Sequence, residues 1–71
     1  MTGYSSALRI SAAIIEEHAA DPTTARRLIT EQRYAIETEL ARQPQNFYLE
    51  NMATGFRTVL DGLYIIAGRG K

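Results

Sequence analysis

Apolar residues recur along this chain at helical spacing, in three stretches set apart by Pro22 and Pro44. In the first, about residues 5–20, Tyr4, Ala7, Leu8, Ser11, Ile14, Ile15 and His18 follow the i, i+3, i+4 rule, with Arg9 and Glu16 opposite. In the second, about 22–42, the stripe is Ala25, Leu28, Ile29, Gln32, Ala35, Ile36 and Leu40, and Tyr34 falls on the far side beside Arg27, Thr38 and Ala41. The third, about 46–67, is the most apolar. Leu49, Met52, Ala53, Phe56, Val59, Leu60, Leu63 and Ala67 form its stripe, Tyr48, Gly55, Gly62 and Ile66 its flank, and Glu50, Thr54, Arg57 and Asp61 its polar face. No stretch alternates apolar and polar residues as a half-buried strand does.

The breaks carry helix-boundary chemistry. Asp21 or Thr23 suits the N-cap of the second helix, where proline is tolerated at the first position. "RQPQN" interrupts the next stretch, since proline disfavours helical backbone in the residue before it. Asn46 then suits an N-cap, with Glu50 in the first turn where the helix dipole favours an acid. Gly68 suits the residue that ends the third helix. Arg33–Glu37 and Arg57–Asp61 can pair at i, i+4. A short connection between helices of similar length predicts an antiparallel hairpin. The expected fold is all-α: a hairpin of about 22–42 and 46–67 preceded by an N-terminal helix, all within one small domain spanning 1–71. Residues 1–21 are the first helix and linker, and 22–71 the hairpin.

Two features of the third helix need a neighbour. Stripe and flank together cover roughly half its circumference at about 100° per residue, more than one antiparallel helix covers. Gly55 and Gly62 lie seven residues apart on one side, each about 1 kcal/mol worse than alanine in a helix. Either the first helix folds over that side, or another polypeptide does. The glycines accordingly mark close packing within the chain or close approach of a second one.

Composition narrows the function. With 71 residues and no cysteine, the chain has neither disulfides nor thiolate metal ligands, so a packed helical core or a partner must supply stability. Eight basic and eight acidic residues leave zero formal net charge, without the basic excess of nucleic-acid binders. The longest apolar run, Leu63–Ala67, is far short of a bilayer span. "MTGYSSALR" lacks the basic and apolar regions of a signal peptide. A soluble, intracellular chain is expected.

Candidate chemistry is sparse. His18 has no acid or nucleophile at a recognisable spacing, and reads as a histidine ending an apolar stripe. Glu16 and Glu17 point about 100° apart on a helix and cannot share a proton. Arg26 and Arg27 sit among acids as an ordinary mixed surface. No phosphate-binding glycine loop or activated nucleophile is present. The expectation is a non-enzymatic chain without cofactor or metal. Tyr34 and the Phe47–Tyr48 pair are of the residue type enriched at binding hot spots.

Residues 25–71, "ARRLITEQRYAIETELARQPQNFYLENMATGFRTVLDGLYIIAGRGK", resemble the small helical co-chaperones of type III secretion systems, the YscE/PscE/EscE-type needle-chaperone subunits. The likeness lies in a helix carrying Leu28, Ile29 and Ala35, a break after Arg42, a "QNFYLEN" restart with Gln45, Phe47 and Tyr48, and a final helix closing with "LYIIAG". Gln43-Pro44 stands where that family often carries glycine. The resemblance implies pairing with a larger TPR-like chaperone, which is thereby stabilised and keeps the needle subunit monomeric before export. On that basis the partner-binding residues are expected among Tyr34, Phe47, Tyr48, Gly55, Val59, Gly62 and Ile66. The alternative is a self-associating helical protein with a structural or regulatory role, since an over-wide face can also close on its own copy. A DNA-binding regulator and a small helical enzyme fit less well, because charge is balanced and the arginines fall on polar faces.

Overall fold

The computed structural model describes the backbone of residues 2–69 and the side chains of residues 2–63. Three helices follow one another: α1 (Gly3–Glu17), α2 (Pro22–Arg42) and α3 (Phe47–Arg69). No strand occurs among the described residues. The fold is all-α, as the periodicity predicts, and α1 packs onto the hairpin.

Each helix begins on a side-chain cap. Asp21 accepts from the Thr24 amide at 3.2 Å, with Pro22 at the first helical position. Asn46 accepts from the Leu49 amide at 3.2 Å, and Glu50 sits in the first turn of α3. The α1 cap is Thr2, whose Oγ1 accepts from the Ser5 amide at 3.1 Å, so the helix starts two residues earlier than the apolar spacing indicates. α1 also ends earlier, at Glu17, with the His18 amide bonded to the Ile14 carbonyl and a tight turn to Asp21. At the other end of the chain α3 continues through Gly68 to Arg69, so that glycine does not stop the helix.

α1 and α3 run parallel. Gly3 lies against the Tyr48 carbonyl and the Met52 amide, and further along α1 Ala7 lies against Gly55. α2 packs antiparallel on α3, and α1 and α2 meet each other least. The core is small: Ala7, Ile29, Met52 and Phe56, with Ile10, Ile14, Ile15, Ile36, Val59, Leu60 and Leu63 packed partly around it. Phe56 is fully buried, an anchor worth roughly 1.5–3 kcal/mol relative to exposure.

Two of the predicted stripes are rotated from their expected position. On α1 the buried side is Gly3, Ser6, Ala7 and Ser11, while Tyr4 and Leu8 stay exposed. Small residues face α3 because its backbone comes too near for large ones, and that proximity displaces the tyrosine and leucine to the shoulder. On α2 only Ala25 and Ile29 are fully buried, and Gln32 and Ala35 are exposed. Ion pairs among the described residues include Arg33–Glu37 at 2.8 Å and Arg42–Glu39 at 3.4 Å; the Arg57–Asp61 pair expected on α3 is not formed.

Candidate protein-docking surface

The two glycines of α3 do different things. A Cβ on Gly55 would stand 2.7 Å from the Ala7 Cβ and 3.1 Å from the Tyr4 carbonyl oxygen. Real Cβ atoms do not come that close, so Gly55 is what lets α1 lie against α3. The close approach expected there is made by the chain's own first helix, and Gly55 is not open to a second one. Two turns on, a Cβ on Gly62 would meet nothing within 4 Å among the described residues. α3 has 23 residues against 15 in α1, an excess of about 12 Å at 1.5 Å per residue.

Around Gly62 the apolar side chains are only partly covered. Val59, one turn back on the same side, and Leu63, next along the chain, touch the core without being sealed into it. Ile66, expected on the same side, lies outside the residues whose side chains are described. This part of α3 thus combines half-covered aliphatics with a glycine in open space. Helix association uses small residues in this way, because they let another backbone approach.

The aromatic candidates lie elsewhere. Phe47 is 73 % exposed in the first turn of α3, and Tyr48 beside it is 47 % exposed. Tyr48 is partly committed inside the chain, since its hydroxyl shares a 2.7 Å hydrogen bond with the Ser6 Oγ and ties the starts of α1 and α3. Tyr34 is 68 % exposed on α2. It borders a shallow depression of about 140 Å³ with Thr30, Arg33 and Glu37, all on the same helix. Arg33 and Glu37 already bond each other there, which leaves this hollow without a free charge for a ligand. The expected residues therefore do not form one patch: Val59 and Gly62 are near neighbours on α3, Phe47 and Tyr48 mark its opposite end, and Tyr34 belongs to the outer side of α2.

Of the polar members of the α1–α3 seam, sequence periodicity includes Ser11 and misses Ser6. Ser6 and Ser11 are buried there. The Ser11 hydroxyl has no hydrogen-bond partner, an arrangement that costs about 1–3 kcal/mol when a donor is sealed from water. The signal available in the sequence was the run of small residues Gly3, Ser6, Ala7 and Ser11 on one side of α1.

His18 is half-buried at the end of α1, where its backbone amide closes the helix. Asp21, at the start of α2, is shifted in acidity. Its hydrogen bonds from the Thr24 side chain and then the Thr24 amide hold the carboxyl below the usual range, and this serves the cap. Among the described residues no group of histidine and acidic side chains is placed to hold a metal ion. No helix among them is long and apolar enough to cross a membrane.

No protein-family model matches the sequence, and no curated protein or solved structure matches it significantly.

Proposed function

We propose that this chain is a non-enzymatic binding subunit that docks through the far half of α3 onto a larger helical protein. In its specific form, the partner is a TPR-like chaperone of a type III secretion system. The small subunit stabilises that chaperone in the bacterial cytoplasm, and the pair keeps the needle subunit monomeric before export. The observation that carries the proposal is Gly62, set in open space beside the half-covered Val59 and Leu63. The specific form rests on the resemblance of residues 25–71 in layout.

The physical logic is one of mutual cover. A helical-repeat protein with an uncapped end exposes apolar surface and needs a terminal cap. A small helical bundle with little core of its own gains stability from any contact that completes it. Co-expression with a TPR-like chaperone encoded beside this chain, followed by size exclusion, tests the proposal. Co-elution as one species is expected. Two proteins that are folded and soluble separately and never co-elute would overturn it.

Self-association through the same surface is the second reading, favoured by the same half-covered aliphatic side chains. Competition separates the two. If the chaperone is the true occupant, adding it dissolves any homo-oligomer; if self-association is the function, the homo-oligomer persists.

A further inference from the structure

We draw no further inference here: the strongest candidate, the exposed aromatic patch of Phe47 and Tyr48 in the first turn of α3, is an unpartnered apolar surface, and nothing in the structure shows what covers it.

Discussion

Ala7 and Gly55 are in backbone-limited contact: a Cβ on Gly55 would lie 2.7 Å from that of Ala7. Neither partner has a flexible end that can swing aside, so any side chain at 55 must push α1 off α3. This contact sets how near the first helix comes, and through it how well Phe56 and Met52 are covered.

Substituting the two glycines should therefore have opposite effects. Alanine gains about 1 kcal/mol over glycine in helix propensity, but overpacking a close contact costs about 1–3 kcal/mol. Gly55→Ala is expected to lose stability, by about 1 kcal/mol net, and Gly55→Leu by considerably more. Gly62→Ala meets no obstacle and should gain up to about 1 kcal/mol. In a domain of this size each kcal/mol moves Tm by roughly 4–8 °C, so thermal unfolding followed by circular dichroism resolves the difference. Stabilisation by both alanines would mean that α1 does not cross at Gly55.

The seam also carries a favourable and an unfavourable hydroxyl. Ser11→Ala removes a buried group without a partner and improves helix propensity, so it should stabilise the fold by about 1 kcal/mol or more. Ser6 is bonded to Tyr48, and a double-mutant cycle of Ser6→Ala with Tyr48→Phe should give a coupling of about 0.5–1.5 kcal/mol. Urea denaturation of the four proteins in the cycle provides the check. A coupling of zero would remove the hydroxyl pair from the forces that hold α1 in place.

Asp21 gives the fold a specific acid sensitivity. Its carboxylate accepts from Thr24, and this lowers its pKa in the folded chain below that of the unfolded one. The carboxylate's contribution is fully present above the unfolded value and is lost as the pH falls through the lowered folded value. Asp21→Ala should reduce Tm at neutral pH and flatten its decline across the acidic range. A variant whose Tm falls in parallel with the parent over that range would place the acid sensitivity elsewhere.

How much of this was legible beforehand depends on what set each feature. Pro22 and Pro44 act locally, and so do the caps at Asp21 and Asn46, which is why the helix boundaries around them are read correctly. Phe56, Met52 and Ile29 follow from periodicity because large apolar residues seek the core regardless of detail. The buried side of α1 follows from it only at Ala7 and Ser11. There a neighbouring backbone decides, and it adds Gly3 and Ser6 and leaves out Tyr4 and Leu8. The width of the apolar arc on α3 was legible, but periodicity cannot say that α1 takes the Gly55 part and leaves Gly62 open, because that depends on where the shorter helix crosses. Arg57 and Asp61 have the right spacing yet do not pair; exposed ions in water gain too little to fix two long side chains.

Gly62→Leu brings the docking proposal to a single position. Leucine has better helix propensity than glycine, and there is room for its first carbon, so the isolated chain should keep or raise its helicity. A helix seated over Gly62 would meet a branched side chain where it had met backbone. Co-elution with the helical-repeat chaperone should then weaken, by an amount consistent with an overpacking cost of about 1–3 kcal/mol. Phe56→Asp cannot serve as this test, because Phe56 is wholly buried and the variant would unfold the bundle along with any interface. Circular dichroism confirms the fold of Gly62→Leu, and titration calorimetry with the chaperone reads the affinity. A well-folded variant that binds as tightly as the parent would remove Gly62 from the interface and return the search to the exposed Phe47 and Tyr34.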